Sequence, residues 1–146
     1  MMIRHLFFLS VLLLGTGAKG DAGEPAQVLV GVAAEDITPE YPIRLNGFGG
    51  RTKESEGVRQ AIHAKALVVA ADTSNSTGLN TIIVITVDTL GIPDDLHERV
   101  AAGIAKSTGV PRKAIAICAS HTHSAPMIVN CANTLFGNSI PDDQWQ

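Results

Sequence analysis

Aromatic residues are scarce in this chain, with four Phe, one Trp and one Tyr among 146 residues. Proteins that bind nucleic acid stack flat side chains on bases and line up basic residues against phosphates. This sequence has few of the former and no basic block, and its formal net charge is −3, so nucleic-acid binding is excluded. Cysteine is limited to Cys118 and Cys131. Two cysteines cannot staple a disulfide-rich miniature fold, and they leave a single pairing open. Because Cys118 lies within the apolar stretch Ala114–Ala119, the competing reading is a small buried hydrophobe. No apolar run approaches the roughly 20 residues that span a bilayer. Neither Ser120 nor Ser124 sits in a Gly-x-Ser-x-Gly elbow, which leaves a serine-hydrolase triad without support.

The N-terminus has the layout of a secretory signal peptide over residues 1–20. Arg4-His5 precede the apolar run Leu6 to Leu14, and Gly15 to Gly20 supplies small residues suited to cleavage after Ala18 or Gly20. Export is therefore expected, to a secreted, periplasmic or extracellular location. Removing Arg4 and Lys19 with the leader leaves nine basic against 14 acidic residues, a net charge of −5. Residues 21–146 are enough for one domain, at the small end for a hydrolase that must also shape a pocket.

Beyond a leader at Asp21 to Ala26, Val28 to Ala33 reads as a first strand, and Glu35 to Pro39 turns the chain out. Asn46-Gly47-Phe48-Gly49-Gly50-Arg51 is either a surface loop or a loop through which backbone approaches a ligand. Ile62 to Ala71 forms the next strand, apolar on both faces in its later half, which predicts burial between layers. Asp72 to Asn80 reads as a hairpin loop carrying the sequon Asn75-Ser76-Thr77.

Thr81 to Val87 is the strongest strand, a β-branched run ending in Asp88. Pro93-Asp94-Asp95 opens a helix over 93–107, with Leu96, Val100, Ile104, Ala101 and Ala105 at helical spacing and Gly109 and Pro111 as its stop. Ala114 to Ala119 completes a β-α-β unit with parallel strands and a right-handed crossover. The fold class is thus α/β, a sheet-rich arrangement expected to be the incomplete start of a larger layered catalytic domain.

Chemistry concentrates in Ser120-His121-Thr122-His123-Ser124-Ala125-Pro126. On an extended backbone, two histidines two residues apart point to one side and can present two nitrogens to one metal ion or substrate. The plainer alternative is a pair of rings that hydrogen-bond only the backbone. Asp88 is a turn acid, or else a carboxylate that orients an imidazole, because open α/β sheets bind ligands at strand carboxyl ends. His63 is read as structural and His97 as solvated surface. A zinc hydrolase site normally needs three or more protein ligands, so His121 and His123 with Asp88 or His63 amount to part of one.

Five segments in order, Gly31 to Pro39, Asn46 to Gly49, Ile62 to Val69, Val87-Asp88 and Ser120 to Pro126, resemble the N-terminal region of the neutral/alkaline non-lysosomal ceramidase family. The resemblance implies a secreted or membrane-associated zinc amidohydrolase that splits the N-acyl bond of ceramide or a related lipid amide with metal-activated water, with contact to a membrane surface. It implies one zinc ion held by His121, with His123 holding substrate or the zinc-bound water. The family's further histidine, glutamate and tyrosine ligands are expected beyond Gln146, so the chain is expected to be a fragment, inactive alone. Cys131 to Gly137 departs from the family's glycine-rich continuation, which leaves another lipid amide or ester, or a glycan-linked amide, open as substrate. The alternative is a truncated, non-catalytic exported module that binds a lipid or a partner protein.

Overall fold

The computed structural model describes residues 28–71, 80–128 and 131–132. The signal peptide, the 21–26 leader, the sequon and residues 133–146 lie outside them. The β-branched and small apolar runs form the strands β1 (Val28–Asp36), β2 (His63–Ala71), β3 (Thr81–Val87) and β4 (Ile115–Ala119). Between β3 and β4 stand the helix α1 (Asp94–Thr108) and a short 3-10 turn, Arg112–Ala114. The four strands form one sheet in the order β1-β2-β3-β4. The pairs β1/β2 and β2/β3 are antiparallel, whereas β3/β4 is parallel, as a β-α-β unit requires.

Strand β1 runs three residues past its expected end, because Ala34, Glu35 and Asp36 continue the ladder opposite Lys65, Ala64 and His63. It stops where Asp36 Oδ1 accepts the Thr38 amide at 2.9 Å, an Asx turn immediately before Pro39. These hydrogen bonds from Thr38 hold the Asp36 carboxyl below its usual range. Helix α1 begins after an extended Pro93, with Asp94 and Asp95 in its first turn where the helix dipole favours negative charge. It ends at Gly109, whose φ of 74° is the left-handed conformation that glycine adopts without steric cost and whose N–H bonds the Ala105 carbonyl.

Helix α1 covers one face of the sheet. Ile83, Ala101, Val110 and Ile115 are buried there, with Val68, Ile85, Ile104, Ala105 and Ile117 packed around them. Val100, placed on the apolar stripe by spacing alone, is 40% exposed at the rim of that contact. Strand β2 is not buried between two layers. On the face away from α1, the aligned row Val32, Leu67, Val84 and the neighbouring Val30, Val69, Ile82 include Val30 at 65% and Val32 at 81% exposure. Alternation reports which residues share a face, not whether a second layer covers it. Cys118 is likewise exposed rather than a core residue, and both thiols are free.

His97 also departs from a solvated role. Its Nδ1 lies 2.9 Å from Nη2 of Arg112, whose fork grips the Glu98 carboxylate at 2.6 and 3.1 Å and whose Nη1 reaches the Ile115 carbonyl. Arg112 thereby ties the first turn of α1 to the start of β4, an arrangement that matches guanidinium geometry.

Candidate functional site

Because β3 and β4 are parallel neighbours, Val87 and Ala119 lie side by side and the residues after them emerge at the same sheet edge. Asp88 is fixed there by a reciprocal pair with His63. The Asp88 amide donates to the His63 carbonyl at 3.0 Å, and Oδ2 accepts the His63 amide at 3.0 Å. The amide of His63 is the main reason that the Asp88 carboxyl sits below the usual carboxylate range, with a further hydrogen bond from the Ser120 side chain. Asp88 therefore joins the ends of β2, β3 and β4. Among the described residues no hydrogen bond joins it to an imidazole, and each ring of the motif takes a backbone carbonyl through Nδ1.

The chain leaves the extended conformation directly after β4. His121 has φ of 60°, a left-handed conformation that costs a non-glycine residue about 1–3 kcal/mol and recurs at functional sites. The two histidines consequently do not share a side through strand alternation, yet the turn still brings their rings together, 5.0 Å apart and edge to face. His121 Nδ1 lies 2.8 Å from the Leu90 carbonyl, on the buried Thr89-Leu90 segment that follows β3. His123 Nδ1 lies 2.8 Å from the Gly47 carbonyl. A carbonyl can only accept, so each Nδ1 carries the proton in the neutral ring and each Nε2 keeps its lone pair. This is how a metal-binding or proton-accepting imidazole is held in one tautomer.

The glycine loop supplies the other wall. Residues 44–46 run antiparallel to 125–127, with a bridge between Leu45 and Pro126 and the Asn46 amide donating to Ala125 at 3.0 Å. Asn46 is buried, its Nδ2 donating to the Cys131 carbonyl and its Oδ1 accepting the Gly47 amide. Gly47 has φ of 105°, and a Cβ placed on it would stand 2.6 Å from Cβ of His123. The loop's backbone thus approaches the second histidine itself, and only glycine fits. The Phe48 ring then packs against His123 at 5.1 Å, while Arg51 lies over Phe48 at 4.8 Å.

A cavity of about 530 Å³ is lined by residues that include Tyr41, Ile43, Ile62, Asp88, Thr122 and Ser124. Neither histidine lines it. Among the described residues, no group of three or more His, Cys, Asp or Glu stands close enough to hold a metal ion. The structure thus assembles His121 and His123 with Gly47, Phe48 and Arg51, while Asp88 is bonded to His63 and to Ser120 at the start of the motif. Sequence reasoning missed the carbonyls of Leu90 and Gly47, since a backbone acceptor leaves no mark on residue type. The one available hint was a polar Asn46 between apolar Leu45 and glycine.

A mixed sheet with paired histidines at its carboxyl edge is an α/β arrangement of the kind that places ligands outside the carboxyl ends of its strands. In solved structures it is similar to neutral ceramidase from Pseudomonas aeruginosa, at 23% identity with a TM-score of 0.60 over 71% of this chain and 16% of that one. A ceramidase complexed with C2 matches similarly, at 24% identity with a TM-score of 0.59 over 70% of this chain and 16% of that one. The chain therefore spans about a sixth of their length, and at this identity the likeness concerns the fold. No curated protein sequence matches. The N-terminal sequence pattern of the neutral/alkaline non-lysosomal ceramidases matches residues 28–136, and the chain belongs to that family.

Proposed function

We propose that this segment forms the front wall of the active site of an exported, zinc-dependent amidohydrolase that cleaves the N-acyl bond of ceramide or a related lipid amide. The observation that carries the reading is the pair of imidazoles with Nδ1 of each committed to a carbonyl and both Nε2 atoms left as acceptors. Family membership supports the substrate class.

The donor chemistry suits zinc, which takes neutral imidazole nitrogen, but two histidines are fewer than the usual protein ligand set. His121 would hold the ion, and the remaining ligands would come from outside the described residues. When bound, zinc supplies Lewis acidity toward a carbonyl oxygen and a lower pKa for coordinated water. His123 Nε2 is set to accept a hydrogen bond from a substrate hydroxyl, an amide N–H or a water molecule. Phe48, 53% exposed beside it, offers an apolar face to hydrocarbon.

The test is zinc content and hydrolysis of a fluorescent ceramide by the full gene product that carries this region, against His121→Ala. Loss of both zinc retention and hydrolysis in the variant is expected. Undiminished hydrolysis by His121→Ala would reject the assignment. A zinc-free wild type that binds ceramide vesicles without turnover would favour the non-catalytic binding module.

A further inference from the structure

The guanidinium of Arg51 links the glycine loop to the histidine motif. Its Nη1 donates to the Asn46 carbonyl at 3.0 Å and also to the carbonyl of His123. Nη2 reaches Ser124 Oγ at 3.5 Å, and Cζ lies over the Phe48 ring. Arg51 is itself held, since its amide donates to the Phe48 carbonyl at 3.0 Å and its carbonyl accepts Nη2 of the buried Arg44 at 2.8 Å.

The two carbonyls that Arg51 bridges belong to Asn46 and His123. The adjacent bond, Gly47 carbonyl to His123 Nδ1, is the one that sets the His123 tautomer. Without a donor between them, the Asn46 and His123 carbonyl oxygens would face each other unpaired at a partly buried position, which adds to their repulsion. Their separation would relieve the repulsion, and it would carry the Gly47 oxygen away from Nδ1. Phe48 also contacts both the cation and the His123 ring, so that one guanidinium holds the ring's backbone and its flank together.

We infer that Arg51 is a positioning residue for His123: it locks the glycine loop to the histidine loop so that the His123 ring is held as a single tautomer with Nε2 free. Its functional meaning rests on His123 serving the site proposed above, but its test does not. Lysine is a poor replacement, because one ammonium on a flexible stem cannot bridge two carbonyls and stack on Phe48 at once.

The experiment is long-range proton–nitrogen NMR of the imidazoles in the ¹⁵N-histidine-labelled chain, for the wild type, Arg51→Ala and Arg51→Lys. The wild type is expected to show His121 and His123 each as one Nδ1–H tautomer. In Arg51→Ala the His123 nitrogens should move toward the averaged shifts of a tautomer mixture, while His121, anchored on Leu90, should keep its own. Arg51→Lys should fall on the same side, and it carries the test if the alanine variant does not fold. Unchanged His123 shifts in either folded variant would overturn the inference. So would equal loss at both histidines with the sheet resonances intact, since the effect would then not be specific to His123. Where hydrolysis is measurable, kcat should fall with KM little changed. Absence of hydrolysis by the wild type would defeat the catalytic reading alone and leave the tautomer comparison standing.

Discussion

Asp88 shows how a carboxylate at the strand ends ties together the frame around the site. Its side chain accepts the His63 amide, and its charge is favoured by that bond and by Ser120. A depressed folded-state value means that the stabilisation is fully present above the ordinary carboxylate value of about 4 and is lost as pH falls through the folded value. Asp88→Asn keeps the shape and one acceptor oxygen but removes the charge. The variant should therefore melt below the wild type at pH 7, and the gap in Tm should close as the pH is lowered from about 5 to 2. A gap that stays constant across that range would show that charge contributes nothing at this position. His121 carries the complementary lesson, because its left-handed backbone allows its ring to reach the Leu90 carbonyl.

At the level of elements, β3 is the strand on which everything else is aligned. It pairs with β2 on one side and β4 on the other, and its carboxyl end leads to both Asp88 and Leu90. Ile82 and Ile83 are adjacent and identical in type, yet Ile83 is 6% exposed beneath α1 and Ile82 is 55% exposed on the open face. Ile83→Ala should cost about 2–5 kcal/mol through lost burial and the cavity left behind. Ile82→Ala should change stability by no more than about 0.5 kcal/mol, as surface substitutions do. Urea midpoints of the two variants separate these outcomes, and equal losses would mean that the open face is covered in solution.

For the whole molecule, the open face and the β1 edge dominate. Among the described residues, strand β1 is exposed along its full length and has only β2 beside it, and such edges template pairing with another chain. The isolated chain should therefore self-associate through that edge and the apolar surface beside it. Replacing Val30 and Val32 together with Lys should shift it toward monomer, because charges on an exposed edge strand blunt edge pairing. Sedimentation velocity reads the result directly, and unchanged association in the double variant would exclude this edge.

Much of the architecture was legible in local sequence. The β-branched run at 81–87, the Pro93-Asp94-Asp95 start and the Gly109 stop each act through their immediate neighbours, so strand β3, helix α1 and the parallel β-α-β unit follow from residue type and spacing. The His-Thr-His motif was equally visible, and its place after β4 follows from the same local pattern. The partners of those histidines were not visible. Leu90 lies 31 residues from His121 and Gly47 lies 76 from His123, and both partners act through carbonyls that every residue possesses. Arg51 could be read only as part of a glycine-rich loop until folding brought the His123 carbonyl to its guanidinium, 72 residues away. Residue type and spacing determined which elements form and which side chains carry chemistry. The tertiary structure alone decided what holds them, because a hydrogen bond across loops depends on where the sheet places its ends.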